Sequence, residues 1–509
     1  MTTSAMTDLV VAIDVGTSGV RAMLFDTTGK VLASAYEEFD SLFPSPSWVE
    51  QEAPTWWTTT CKVTTRILKE GDHEPADIAA VSVTNQRETI VPIDDAGRPL
   101  RRAIVWQDRR TVPQCERIAN MVSPEEVYQI TGLTIDPYFS APKILWIEEN
   151  EPDLFRRTHK FLLVHDFIVF KMTGRTITDY SNASRTMLFD ISAGKWSDTM
   201  LAALGIPDEK LPDPIRPGTL VGELTEEAAR HCGLAEGTPV VAGGGDQQCA
   251  ALGVGVVREG MIKATTGTGT FMLAHSDLPR LDPERRLLCS RHVVGDAFVV
   301  EASMFTTGSA LRWFRDNLGS EECARAIEMG ADPYDVMAEE AAKIPAGSEG
   351  VIHIPHLVGA GAPYWNPHAR GVFAGLALGH TRAHLIRAIL EGVAFEIRTN
   401  LEVVRSLGLE VSEMRVTGGA AKSDIWMQIQ ADVLGVPVIR TEVGEATALG
   451  AAILAATGVG LFRSTTDAAE QMVRTRSRLE PQVENAEVYD ASFERYRRLY
   501  QGIADIRWE

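Results

Sequence analysis

The sequence is poor in cysteine: Cys61, Cys115, Cys232, Cys249, Cys289 and Cys323 are scattered through 509 residues, with no pair at C-x-x-C spacing. A disulfide framework or a structural zinc site needs patterned thiols, so neither is expected. Reduced thiols in a cytoplasmic protein are the simple reading. Blocks of like charge are also missing, although the net charge is −20. A surface that negative repels phosphate backbones and anionic lipids, which argues against nucleic acid and membranes as partners. An anionic ligand would have to be held by backbone N–H groups, a metal ion or a few basic side chains. Long hydrophobic runs are absent as well. The uncharged stretch Ala448 to Phe462 falls short of the roughly 18 apolar residues of a membrane span, and reads as a buried helix ended by Gly458 and Gly460. The apolar run Leu9 to Ile13 has no basic lead-in and no cleavage site, so it reads as a first strand rather than a signal peptide. No stretch is low in complexity, and no Pro- or Ser-rich linker divides the chain.

Apolar residues make up 45% and charged residues 23% of the chain, proportions that support large buried cores. A chain of 509 residues exceeds one ordinary core, so two large domains are expected. The reading places them at 1–255 and 256–509, with the boundary in the Gly- and Val-rich stretch Gly253 to Gly260. Leu9 to Ile13 leads through Asp14 into the turn Gly16-Thr17-Ser18-Gly19 and a second strand, Val20 to Phe25. Asp26-Thr27-Thr28-Gly29-Lys30 is a hairpin signal before a third strand, Val31 to Ala35. The pattern returns half a chain later, where Met261 to Ala264 runs into Thr265-Thr266-Gly267-Thr268-Gly269-Thr270 and then Phe271-Met272-Leu273. Two such units suggest a duplicated domain with a cleft between the copies. Helices are expected at Ser123–Thr131, Pro142–Asn150, Thr225–Cys232, His384–Leu407 and Asp424–Leu434, the last after a Gly-Gly junction at Gly418-Gly419.

Three common phosphate-binding devices are missing. Gly418-Gly419-Ala420-Ala421-Lys422-Ser423 lacks the second glycine of a P-loop; no G-x-G-x-x-G turn joins strand to helix; the protein-kinase motifs are absent. What remains is the pair of Gly/Thr hairpin turns, whose consecutive N–H groups and hydroxyls can approach phosphate oxygens. Asp14, ending the first strand, is placed to hold Mg²⁺ through its water shell. Asp246 follows the apolar strand Pro239 to Ala242 and a glycine triplet, Gly243-Gly244-Gly245, read as a flexible turn that lets the carboxylate project into a cleft. By residue type alone it is more often a turn aspartate. Arg87-Glu88, in Gln86-Arg87-Glu88-Thr89, would by itself more often be a solvated surface pair. Trp106 and Tyr138 could equally be core aromatics.

Asp14-Val15-Gly16-Thr17-Ser18-Gly19-Val20-Arg21, Asp246-Gln247-Gln248, Thr266-Gly267-Thr268-Gly269 and Gly418-Gly419-Ala420, in this order across about residues 8 to 460, together resemble the FGGY carbohydrate kinases. The resemblance implies an α/β chain of two ribonuclease H-like domains of the actin/hexokinase/Hsp70 ATPase type around a central cleft. The first would carry the sugar or polyol site and the catalytic base, and the second would bind ATP. It implies ATP-dependent phosphorylation of a hydroxyl, with Asp246 as base and Asp14 as the Mg²⁺ residue. Thr17, Ser18 and Arg21 would lie near the phosphates, Thr268, Gly269 and Gly308 would contact ATP from the second domain, and Gly419 and Ser423 would lie near the adenosine. Arg87, Glu88, Trp106, Tyr138, Asp246, Gln247 and Phe271 resemble the polyol-contacting set of the glycerol kinases in that family, which favours glycerol or a similar short polyol. Ser423, the glycine triplet, Trp48-Val49-Glu50-Gln51 and Trp56-Trp57 look more like xylulose kinases and keep a pentulose open. A homo-oligomer, dimer or tetramer, is usual in families of this resemblance.

Readings from other classes also exist. A non-catalytic nucleotide or sugar sensor on the same fold would be expected to lose Asp14 or Asp246, and both are present. A chaperone-like or filament-forming ATPase would lack a polyol cradle. Metal hydrolase chemistry lacks its H-E-x-x-H motif, and His353 and His356 read as two structural histidines in a loop.

Overall fold

In the computed structural model, which describes residues 8–508, the two Gly/Thr turns open two sheets of matching topology. The first sheet contains β1 (Leu9–Val15), β2 (Gly19–Phe25), β3 (Val31–Glu38), β4 (Ile78–Asn85), β5 (Leu220–Glu223) and β6 (Pro239–Gly245), in the order β5-β6-β4-β1-β2-β3. The second contains β7 (Met261–Thr266), β8 (Thr270–Ser276), β9 (Leu288–Arg291), β10 (Phe298–Met304), β11 (Glu413–Thr417), β12 (Val438–Thr441) and β13 (Thr475–Leu479), in the order β9-β10-β8-β7-β11-β12-β13. In the first sheet β1, β2 and β3 form an antiparallel meander; in the second the antiparallel run is β7-β8-β10, with β9 added outside β10, and in each sheet two further strands continue parallel from the first strand. This is the duplicated α/β arrangement that the sequence pattern suggests.

Strand alternation decides which side chains face the other half. In β1, Val11, Ile13 and Val15 join the core under the helices α1 (Ala53–Gly71), α2 (Val164–Thr173) and α3 (Glu226–Cys232). Val10 and Ala12 join a second core on the opposite face, and Asp14 continues their row. Both faces are covered, which is why Leu9–Ile13 reads as an unbroken apolar run.

Between the sheets lie the helices α4 (Asp246–Gly253) and, much later in the chain, the Ala-rich α8 (Ala446–Gly458). The helices α5 (Gly308–Asn317), α6 (Arg382–Ser406) and α7 (Asp424–Leu434) cover the outer face of the second sheet. Although α8 belongs to the second half of the chain, it packs on β1, β4 and β6 of the first sheet, and it crosses α4 closely. The inter-sheet core therefore mixes Val10, Met23 and Val241 of the first sheet with Leu273 and Val299 of the second.

The expected helices are present with small shifts. Ser123 and Thr225 are caps rather than first residues, accepting N–H bonds from Glu126 and Ala228. The helices expected from Pro142 and His384 begin earlier, at Ser140 and Arg382. The uncharged stretch of the sequence forms the helix Ala446–Gly458, and no helix among the described residues is long and apolar enough to cross a membrane.

The crossing of α4 and α8 is possible only because it is lined by glycine. A Cβ on Gly450 would stand 1.9 Å from the Cys249 carbonyl oxygen, and one on Gly253 would stand 1.8 Å from the Ala446 carbonyl oxygen. Alanine for glycine inside a helix normally gains up to about 1 kcal/mol. At position 450 backbone contact overrides that gain. Gly450→Ala is expected to lower the thermal unfolding midpoint, whereas Gly502→Ala, exposed in the helix Ala486–Ile503 with nothing near its Cβ, leaves it unchanged or raises it.

Candidate functional site

Both Gly/Thr turns are closed by a backbone hydrogen bond between their glycines, the first around two residues and the second around one. Gly16 N–H donates to the Gly19 carbonyl at 3.0 Å, and Gly267 N–H donates to the Gly269 carbonyl at 2.9 Å. In the second half the Thr268 carbonyl also accepts the N–H groups of Thr307 and Ser309, each at 3.1 Å, and the Ser309 hydroxyl at 2.9 Å. The start of α5 is thereby tied to the turn. Gly308 allows this approach, since a Cβ there would lie 2.1 Å from the Gly267 carbonyl oxygen. Beside the turn is a cavity of about 410 Å³ that Thr268, Gly308, Gly419 and Ser423 all line, together with Leu311, Tyr334, Ile386, Leu390, Lys422 and Trp426. Gly269 borders the same turn, and Ser423 caps α7 by accepting from Trp426 N–H. The cavity has apolar walls for a flat ring at one side and a hydroxyl- and N–H-rich turn at the other, dimensions and chemistry that suit a nucleotide.

On the first half, Asp14 pairs in register with Arg21 across β1 and β2, and Arg21 reaches Glu445 of the second half at 3.5 Å. Burial pushes the Asp14 carboxyl up, and the nearby Asp246 and Glu445 carboxylates add to this; Arg21 offsets part of it, leaving the group at about 7. Among the described residues no three side chains cluster as a ready-made metal cage. A lone carboxylate in excess negative charge fits a hydrated cation that takes its remaining ligands from phosphate oxygens. Ser18 lies exposed at the tip of the turn, while Thr17 is turned inward: its Oγ1 accepts the Trp106 indole N–H at 2.9 Å and contacts Gln86 Oε1 at 3.4 Å.

The second cluster is built on the residues after β4. Arg87 is buried, not surface-exposed as its motif alone suggests, and so is Glu88. Glu88 sits at φ +64°, a costly conformation for a residue with a side chain, found where the fold needs a particular direction. Arg87 forks onto Glu301 of β10, with Nη1–Oε2 at 2.8 Å and Nη2–Oε1 at 3.1 Å. Its Nη1 also reaches Gln248 Oε1 at 3.2 Å, and its Nε lies 3.3 Å from Asp246 Oδ1. Arg185 completes the network, donating to Glu88 at 2.5 Å and to Glu301 at 3.3 Å. Burial alone would push Glu301 up, but Arg185 and Arg87 pull it down to about 2, so it is a fixed anion. Aromatic rings wall this network: Trp106 and Tyr138 meet edge to face at 5.5 Å, and the Arg185 guanidinium lies 5.4 Å from the Tyr138 ring centre. Phe271, half-buried at the start of β8, lies in register with Ser303 of β10.

Asp246 opens α4 with Gln247 beside it. Its side chain is 32% exposed, against 2% for Arg87, so it is the carboxylate of this network that opens to the cleft. The glycine triplet before it is not a flexible turn. Gly243–Gly245 form the end of β6, and glycine is required there by close approach: a Cβ on Gly243 would stand 1.9 Å from the Val83 carbonyl oxygen, and one on Gly245 would stand 2.6 Å from the Arg87 side chain. Asp246 is therefore aimed by a rigid strand-to-helix junction. His353 likewise lies in a strand, Ile352–Ile354, bonded to the Val372 carbonyl and stacked on Phe373, and His356 faces the buried Glu396.

Sequence reasoning missed Arg185, Glu301 and Lys263, and named Gln248 only within the Asp246-Gln247-Gln248 motif, without a contact. Two of them had a readable signal: Glu301 in Phe298-Val299-Val300-Glu301-Ala302 and Lys263 in Met261-Ile262-Lys263-Ala264 are single charges inside buried strands. Such charges persist only when paired.

Residues 9–253 match the FGGY family of carbohydrate kinases, N-terminal domain, and residues 262–459 match the C-terminal domain of the same family. The chain is 38% identical over 489 residues to the glycerol kinase of Deinococcus radiodurans, covering 94% of each protein. Among solved structures it resembles the xylulose kinase of Rhodospirillum rubrum, with TM-score 0.90 and 29% identity over 97% of this chain and 99% of that one. It also resembles Plasmodium falciparum glycerol kinase with ADP, with TM-score 0.89 and 25% identity over 98% of both. Two matched sheets, paired Gly/Thr turns and a buried polar cradle thus belong to a recognised enzyme design: this chain is a member of the FGGY family of carbohydrate kinases, ATP-dependent phosphotransferases.

Proposed function

We propose that the chain transfers the terminal phosphoryl group of ATP to a hydroxyl of glycerol or a similar short polyol. The observation that carries this reading is the placement of Asp246. It is the open end of a buried ionic network that also fixes Arg87 and Glu88, and its charge is felt at Asp14 beside the first phosphate-type turn. The identity to curated glycerol kinases over most of both chains supports glycerol above a pentulose.

In this reading the first half carries the polyol site and the base, and the second half binds the nucleotide. Glu88 and Gln247 meet the substrate hydroxyls, Arg87 holds the Asp246 carboxylate in place, and Trp106, Tyr138 and Phe271 bound the carbon chain. Thr268, Gly269 and Gly308 hold phosphate oxygens, while Gly419 and Ser423 lie against the adenosine. Ser18 and Arg21 approach the phosphates from the first half, and Thr17, whose hydroxyl is turned inward, offers its backbone N–H. Asp14 would hold Mg²⁺ through water, and that ion would neutralise phosphate charge. Asp246 accepts the hydroxyl proton as the oxygen forms its bond to the terminal phosphorus and the bond to the ADP oxygen breaks; positioning and charge stabilisation supply most of the rate. The protein works in the cytoplasm, as a homo-oligomer.

ATP-dependent turnover of glycerol, erythritol, xylulose and ribulose tests the substrate directly. The highest kcat/KM is expected for glycerol; a preference for xylulose would replace this reading with a pentulose kinase. Asp246→Asn is expected to lower kcat by about 10²-fold or more while ATP binding, followed by calorimetry, is retained. Near-normal turnover in that variant would remove Asp246 from its role.

A further inference from the structure

Lys263 is a buried charge for which the phosphoryl-transfer scheme has no use. In β7 the side chains of Ile262 and Ala264 enter the core on the α6 side, whereas Met261 enters the inter-sheet core with α4 and α8. Lys263 shares the Met261 face, so alternation alone delivers its ammonium toward α4. It is fully buried, and its Nζ donates to Gln247 Oε1 at 2.6 Å. Across the sheet Lys263 is in register with Leu273 of β8, and Leu273 with Glu301 of β10, so lysine and glutamate flank one leucine on the face turned toward the first half.

We propose that Lys263 is a positioning residue that decides which end of the Gln247 amide meets the acceptor polyol. In its charged form, which the neighbouring Asp246 and Glu301 carboxylates favour, the Lys263 amine can only donate. The amide oxygen must therefore face Lys263, which leaves the Gln247 Nε2 donors for the cleft. Gln247 then offers a donor to a hydroxyl oxygen right beside Asp246, which offers an acceptor. That donor–acceptor pair matches adjacent hydroxyls of a polyol, each of which must both give and receive a hydrogen bond. A flipped amide would present a second acceptor beside a carboxylate and would discriminate against the same ligand. The lysine also lies on the strand that runs directly into the Gly267-Thr268-Gly269 turn, so the nucleotide-side strand holds a polyol-side contact in place. Burial draws the Lys263 ammonium down to about 7, and the neighbouring Asp246 and Glu301 carboxylates counter part of that fall. A group kept at such a cost is poorly explained by stability alone.

This inference rests on the reading that Gln247 touches the polyol, so the test separates the two. Steady-state kinetics with glycerol and ATP are measured for the wild type, Lys263→Met, Gln247→Ala, the double variant and Gln247→Glu, each checked for folding by its thermal midpoint. Lys263→Met and Gln247→Ala are each expected to raise the glycerol KM about tenfold with the ATP KM little changed, and the double variant to be no worse than either single one. Gln247→Glu keeps a partner for Lys263 but loses the Nε2 donor, so its glycerol KM is expected to rise as in Gln247→Ala without loss of thermal stability. It serves as the deciding variant should Lys263→Met fail to fold. Multiplying effects in the double variant, or a normal glycerol KM in Gln247→Glu, would overturn the role of Lys263. A normal glycerol KM in Gln247→Ala would instead remove Gln247 from the polyol site.

Discussion

A single carboxylate, Glu301, held between two arginines of the opposite half, is the interaction on which the rest of the site depends. Arg87 and Arg185 come from loops beside the first sheet, and Glu301 comes from the middle of a strand in the second. None of the three reaches solvent, so each would be an expensive isolated charge, and removing one partner of such a pair typically costs about 3–5 kcal/mol. The geometry is strong because it is bidentate. It joins the halves at the base of the cleft, and any opening has to pivot about it or break it. The same guanidinium that forks onto Glu301 touches Asp246, so the position of the carboxylate proposed as the base is set by an ion pair between the two sheets.

The crossing helices provide the mechanical counterpart. α8 leaves the second half of the chain to pack on the first sheet, and its glycine contact with α4 fixes the helix that begins at Asp246. The strand-like glycine triplet does the same from the other side, since β6 can lie so close to β4 and Arg87 only without side chains. The geometry around Asp246 comes from close backbone approach and buried charge rather than from loop flexibility.

Much of this was legible in the sequence. The two Gly/Thr turns, the aspartates at Asp14 and Asp246 and the strand–turn–strand duplication rest on local chemistry, which a linear reading sees. The buried state of Arg87 and Glu88 was not legible, because their partners lie about 100 or 200 positions away at Arg185 and Glu301, and local context made them look solvated. The glycine triplet misled for a related reason: three glycines signal freedom in an isolated peptide, but here they signal neighbours. Lys263 and Glu301 were visible only as solitary charges in apolar strands, a pattern that announces a partner without naming it.

Crystals grown with glycerol and a non-hydrolysable ATP analogue test the central claim most directly. The account predicts one glycerol hydroxyl within hydrogen-bond reach of Asp246, facing the terminal phosphorus, with Arg87 still forked onto Glu301. A polyol bound elsewhere in the cleft, or an Asp246 turned from it with the Arg87–Glu301 pair broken, would contradict it.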